Sequence, residues 1–305
     1  MAASKPSNWI GVWTLYVREV RRFAKVYSQT LVAPVVTTLL FLAIFTLALG
    51  SDRAPIGGMP FAEFLAPGLV MMAVAQNAFA NTSSSLVISK IQGNIVDTLM
   101  PPLTAHELTL AMALGGATRG VAVGVLVMLA MMPFVEIGVA HWGFALFHLG
   151  AASLLLSLIG VAGGIWSDKF DHIAAVTNFV VTPLAFLSGT FYTLDRLPEA
   201  FVQIAELNPF FYMIDGFRFG MTGYADARPW SALLVLVGAN TAMWVLCWRR
   251  PEPEVRTMAG HRRSRSCRSE SRRSCRRTDS ARRSGRTPRA SGPACRTCPT
   301  GTPAG

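Results

Sequence analysis

The side chains able to do chemistry in this 305-residue chain are few, and most are spaced wrongly for catalysis. A phosphate cradle needs G-x-x-x-x-G-K-[ST], so that backbone N–H groups and a lysine face one anion. No such run occurs. Gly115-Gly116-Ala117-Thr118-Arg119-Gly120 is glycine-rich, but it lies in an apolar segment and lacks the lysine. There is no G-x-S-x-G elbow to present a nucleophilic serine. The five histidines never fall at metal-ligand spacing with cysteines or carboxylates, so no metal site is expected. Cys295-x-x-Cys298 has the spacing of half a zinc site, with no second half after it. Glu136, His141 and His148 are only loosely grouped, which is too little for the convergent site a membrane enzyme needs.

What remains is polar chemistry set in apolar sequence. Gln76, Asn77 and Asn81 interrupt an apolar run that ends Thr82-Ser83-Ser84-Ser85. Such groups inside a membrane face other helices rather than lipid. Interhelical hydrogen bonding is the plainer expectation for them, and lining a translocation path is the second. Arg119 is charged and lies in the next apolar run. The stretch Gly120 to Val135 is nearly long enough to cross alone, so Arg119 is expected near the cytoplasmic boundary, reaching back to water.

Between those two runs lies Ser89 to Glu107, polar and broken by Pro101-Pro102. Ile91, Ile95 and Leu99 recur there at four-residue steps, which predicts about two turns of amphipathic helix. The prolines stop it. A helix of this kind outside the bilayer is expected to meet a soluble partner, through Ile91, Gln92, Asn94, Ile95, Asp97 and Leu99.

These residues must be positioned by membrane helices. The chain is 51% hydrophobic and 15% charged, with a mean hydropathy of +0.40. Several apolar runs approach the ~20 residues that span a bilayer. The expectation is an all-α membrane protein with six transmembrane helices. They cover Leu31–Gly50, Phe61 to about Ser85, Leu108 to about Phe134, Gly143–Trp166, His172–Tyr192 and Trp230–Trp248. Pro34 sits near the start of the first, and Asn178 and Pro183 sit inside the fifth. Gly116, Gly120 and Gly124 form a small stripe on the third, a face for close helix packing. Trp9 to Tyr27 predicts an N-terminal interfacial helix, with Trp9, Trp13, Tyr16, Val17, Val20, Ala24 and Tyr27 on its apolar side. Arg18, Arg21, Arg22 and Lys25 supply the polar side. Met1–Ser7 leads straight into this helix, so no cleavable signal peptide is expected. Thr193–Arg228, broken at Asn208-Pro209, predicts two short helices in a re-entrant or interfacial hairpin on the outer face.

Domain boundaries follow. Residues 1–28 form the interfacial segment, 29–250 the six-span body and 251–305 a basic tail. The net charge of +11 belongs to that tail: the first 250 residues carry 14 basic and 13 acidic side chains. The tail is rich in Arg, Ser and Pro and lacks aromatics, so it predicts disorder and no single-strand nucleic-acid binding. Its abrupt start is also what a changed reading frame after about Arg250 would give. Six spans put both termini on one side. That side carries Lys5, Arg18, Arg21, Arg22, Lys25, Lys90, Lys169, Arg249 and Arg250, against Arg53, Arg196, Arg218 and Arg228 opposite. Both termini, and the 91–99 stretch, are therefore expected in the cytoplasm.

Buried carboxylates of a proton-driven pump are scarce in the spans. A separate engine at the cytoplasmic surface is the economical inference. A secondary transporter or channel without such a partner is the alternative; no repeat relates the two halves.

Tyr27–Pro34, Pro67–Met72, Leu99-Met100-Pro101-Pro102, Thr182-Pro183-Leu184, Ser188–Tyr192 and Leu207-Asn208-Pro209 to Arg218 together resemble the permease subunits of ABC-2-type exporters, the bacterial YadH-like group in particular. The resemblance covers roughly residues 8 to 250. It implies a cytosolic ATP-binding cassette subunit as partner, a second permease copy in a homodimer, and membrane lipid around both. It implies an inner-membrane location, and a cytoplasmic coupling helix between spans two and three. This chain itself would bind no cofactor, since ATP and Mg would sit on the partner.

Overall fold

The computed structural model describes residues 8–49, 56, 58–93, 103–136, 138–193, 202–203 and 207–249. Its elements are α1 (Trp9–Lys25), α2 (Ala33–Leu49), α3 (Phe61–Gln92), α4 (Ala105–Met131), α5 (Trp142–Trp166), α6 (Phe170–Phe186), α7 (Pro209–Thr222) and α8 (Pro229–Arg249). No sheet forms among the described residues; Ile56 and Met59 make one isolated bridge. Among the described residues five helices are long and apolar enough to cross a membrane: α2 together with the residues leading into it (Ser28–Ala48, 21 residues), α3, α4, α5 and α8.

α3 is the axis of the bundle. Of its apolar window, 78% is buried, against 11% for α2 and 17% for α8. It packs chiefly on α5 and α4, with α7 and α2 beside it. Small side chains permit that approach. A Cβ on Gly120 would stand 2.9 Å from Ser153 Oγ and 3.0 Å from Ala78 Cβ. One on Gly124 would stand 2.7 Å from Val74 and 2.8 Å from Leu149, and one on Gly116 would overlap Ser157 and Thr82. The Gly116–Gly120–Gly124 stripe of α4 is thus wedged between α3 and α5. Gly160 and Gly164 of α5 meet Phe79, Thr82 and Leu86 of α3 in the same way.

Prolines shape two entries. A π-helical stretch, Ser28–Val32, leads into α2, and another, Thr177–Val181, lies within α6. Each ends two residues before a proline, Pro34 or Pro183. A proline clashes with the carbonyl four residues back, and here those carbonyls belong to Thr30 and Phe179, inside the widened turns. The wider turn removes the clash while keeping the chain helical.

α6 is shorter than the expected fifth span. It ends at Phe186, six residues before Tyr192. The Ser188 and Thr190 hydroxyls donate to the Ala185 carbonyl at 2.6 and 3.1 Å, and Gly189 turns at φ +71°. At 17 residues, Phe170–Phe186 falls below the five long helices.

α1 differs in which face it packs. Val12, Leu15, Glu19 and Phe23 are buried, while Trp9, Trp13 and Tyr27 of the expected apolar side stay exposed. The buried row follows the helical period and centres on a carboxylate. The aromatic row is left outside, where a headgroup layer would meet it.

Candidate functional site

The expected partner-contact residues divide at a glycine. Ile91 and Gln92 are exposed in the last turn of α3, and Gly93 ends that helix at φ +81°. Asn94, Ile95, Asp97 and Leu99 lie outside the described residues. The expected unbroken helix from Ile91 to Leu99 is therefore corrected: Ile91 and Gln92 belong to α3. Left-handed backbone at Gly93 cannot continue a right-handed helix.

Both flanks of this stretch are tied down. Before it, Lys90 Nζ donates to the carbonyls of Ile165 and Ser167 and pairs with Asp168 at 3.7 Å, joining the end of α3 to the end of α5. After it, Thr104 and Glu107 form a capping box on α4. Glu107 Oε2 accepts from the Thr104 backbone N–H at 2.7 Å, and its Oε1 accepts from the Asn8 backbone N–H, also at 2.7 Å.

α1 lies across α3 and α4 on a charged seam. Glu19 is 2% exposed. Ser85 Oγ donates to its Oε1 at 2.9 Å, and Arg22 pairs with its Oε2 at 3.2 Å. Arg22 Nη2 also donates to the Asn81 carbonyl and to Asn81 Oδ1. One turn deeper, Arg119 Nη2 donates to Asn77 Oδ1 at 2.9 Å. Arg119 sits midway along α4 and turns toward an amide on α3. Tyr16 and Thr118 share a hydroxyl hydrogen bond at 3.1 Å.

The three candidate path residues separate. Asn81 is fully buried and engaged by Arg22. Gln76 and Asn77 line a cavity of about 240 Å3 between α2 and α3, with Gln29, Pro34, Thr37 and Thr38 across from them. Its lining is amide, hydroxyl and apolar, with no ionisable group. Such a surface can exchange hydrogen bonds with a passing polar molecule but has nothing to transfer a proton or attack a bond. Among the described residues no group of three His, Cys, Asp or Glu could hold a metal.

A second charged centre lies at the other end. Arg218 of α7 is 1% exposed. Its Nη2 donates to the Gly189 carbonyl at 2.6 Å, and its guanidinium lies 3.9 Å over the Phe64 ring. Nη1 is 3.7 Å from Asp226 and 4.0 Å from Asp215. Asp215 accepts from the Asp226 and Ala227 backbone N–H groups. Burial pushes its carboxyl up from the usual range, and those donors with Arg218 pull it back. Ala140 and His141 donate backbone bonds to Met221 and Gly220, stitching the α4–α5 connection onto α7. Sequence reasoning counted Arg218 as an outer-loop charge. Asp215 and Arg218 stand at (i, i+3), a pairing visible in the sequence, and so do Glu19 and Arg22.

The geometry is that of a bundle of long apolar helices in which the described flanks of the α3–α4 connection are anchored by hydrogen bonds. The model of the ABC-2 type transporter family matches residues 11–222. The chain belongs to that family. The inner membrane transport permease YadH of Escherichia coli K12 is 38% identical over 240 residues, which are 79% of this chain and 94% of that protein. Nodulation protein J of Rhizobium leguminosarum bv. viciae is 25% identical over 232 residues, 72% of this chain and 85% of its own length. Nodulation protein J of Sinorhizobium fredii is 25% identical over 224 residues, covering 70% and 81%. The family match begins inside α1 and ends with α7, so the charged seam falls within it, as do Arg218 and Asp215 but not Asp226.

Proposed function

We propose that this chain is the membrane-spanning permease subunit of an ATP-driven exporter in the bacterial inner membrane. A separate cytosolic ATP-binding cassette subunit supplies the energy and carries ATP and Mg. α6 makes the fifth of six crossings, with α7 as the outer re-entrant element, and both termini lie in the cytoplasm. The family membership carries this reading, together with the absence of any phosphate cradle in the chain. ATP binding closes the partner ATPases, residues 91–99 receive the movement, and the spans rearrange between inward and outward access.

Two copies of the permease enclose the path. This is supported by the sparsely buried α2 and by the exposed polar side chains Gln29, Thr37 and Asn178 on and beside α2 and α6. Polar groups facing lipid are costly, and a second copy would cover them. Gln76 and Asn77 are the path residues nearest that face.

The test is a charge in the proposed contact. Ile95→Glu is expected to reduce co-purification of the ATPase subunit and ATP-dependent transport together. Wild-type levels of both would overturn the coupling role. Transport that survives ATP depletion would instead favour a secondary transporter.

A further inference from the structure

Glu107 does more than cap its own helix. Oε2 closes the capping box with Thr104, and Oε1 accepts the Asn8 backbone N–H, which opens α1. One carboxylate thus holds the first turn of α4 and the first turn of α1. The two turns are also in van der Waals contact: a Cβ on Gly11 would stand 2.8 Å from Leu103 Cδ2. Further along, α1 is fixed to α3 by Glu19–Ser85 and Arg22–Asn81. α1 therefore bridges both helices that flank residues 94–102.

We propose that Glu107 is a positioning residue that makes α1 and the first turn of α4 move as one body when the permease is driven. This rests on the coupling reading above and adds to it how displacement spreads. Movement delivered after Gly93 reaches α4 at Leu103–Glu107. Through Glu107 Oε1 it reaches α1 at once, and through α1 it reaches α3 at Asn81 and Ser85. The bond is well suited to this: it is charge-assisted, short, and made by a residue only 9% exposed. Its donor is a backbone N–H, so only the Glu107 side chain can be varied.

The experiment uses the full chain, its five native cysteines replaced by serine, in complex with its ATPase subunit and diluted with unlabelled chain. Nitroxide labels at Thr14→Cys and Leu114→Cys, both exposed, report the α1–α4 distance by pulsed EPR. Labels at Leu47→Cys and Leu234→Cys, also exposed, report α2 against α8. ATP with vanadate is expected to shift the second distance and leave the first unchanged. A shift in the first would overturn the single-body proposal. In Glu107→Ala the first distribution broadens at rest, and the vanadate shift of the second pair is lost while ATP hydrolysis per complex persists. Glu107→Gln keeps one acceptor oxygen and restores part of that shift. A sharp first distribution in Glu107→Ala, or a full vanadate shift, would overturn the role of Glu107. If no ATPase subunit accompanies the wild-type chain, the coupling reading fails, and the resting comparison still decides whether Glu107 holds α1.

Discussion

Arg22 Nη2 donates to both oxygens of Asn81, at 2.7 Å to the carbonyl and 3.1 Å to Oδ1. A cation on an amphipathic helix is thereby committed to a buried amide on the central helix. Its other partner, Glu19, is almost wholly enclosed. A lone buried carboxylate is costly, while a neutral amide in its place is tolerated.

The two members of this pair should therefore respond unequally. Arg22→Ala leaves Glu19 with only the longer, half-exposed Arg18 pair at 3.8 Å and is expected to cost about 1–3 kcal/mol. Glu19→Gln keeps an acceptor for Ser85 and leaves Arg22 on Asn81, so the loss should be smaller. Thermal melting of the detergent-solubilised protein compares them, and equal losses would contradict the seam.

Glycine positions should sort by what faces them. Gly116→Ala drives a methyl into Thr82 Cγ2 at 2.6 Å and toward the Ala78 carbonyl at 3.1 Å, an overpacking cost of about 1–3 kcal/mol. Gly150→Ala, within α5, meets nothing within 4 Å. It should be neutral, or stabilising by about 0.5–1 kcal/mol through helix propensity. The same melting assay decides.

Arg218 is the most exacting position. Arg218→Ala leaves Asp215 and Asp226 facing each other without a cation, at a cost of about 3–5 kcal/mol. Loss of folded protein from the membrane fraction is expected. Adding Asp226→Asn should recover part of it, and recovery would be absent if Arg218 served only as bulk against Phe64.

Gly93 can be tested apart from the residues after it. At φ +81°, Gly93→Ala costs about 1–2 kcal/mol in the left-handed conformation, or lets α3 run on as helix. The second outcome displaces the following stretch. Co-purification of the ATPase subunit should fall while the yield of permease holds. Unchanged co-purification would separate Gly93 from the contact.

Much of the body was legible because long helices leave a long record. The apolar runs gave α2, α3, α4, α5 and α8 to within a few residues at most ends, and the four-residue spacing of Gly116, Gly120 and Gly124 announced a packing face. α3 is the exception: its polar end, read as trailing off near Ser85, is helical to Gln92. Asn81 and Ser85 there bond to α1 and Thr82 to α5, while Ser83, Ser84 and Ser89 bond back to carbonyls of α3 itself, which composition cannot show. The length of its flanks says nothing of the partner Arg119 meets, which is Asn77 across the interface. Arg218 was counted as a solvent-facing charge, because counting charges carries no information on what encloses them. Pro34 and Pro183 were visible, whereas the widened turn before each is a local answer to a clash.

The unbroken length of α3 has a mechanical consequence. Its 32 residues make a rod of about 48 Å at ~1.5 Å per residue, and the hydrocarbon layer is only ~30 Å thick. Pro67 is its one interior proline, near the Phe61 end and remote from Gln92. A see-saw tilt of about 10° around the midpoint of such a rod would carry Ile91 and Phe61 about 4 Å in opposite directions. Gearing of this kind needs no relay of side-chain changes through the membrane: stiffness alone carries a push at one face to the other.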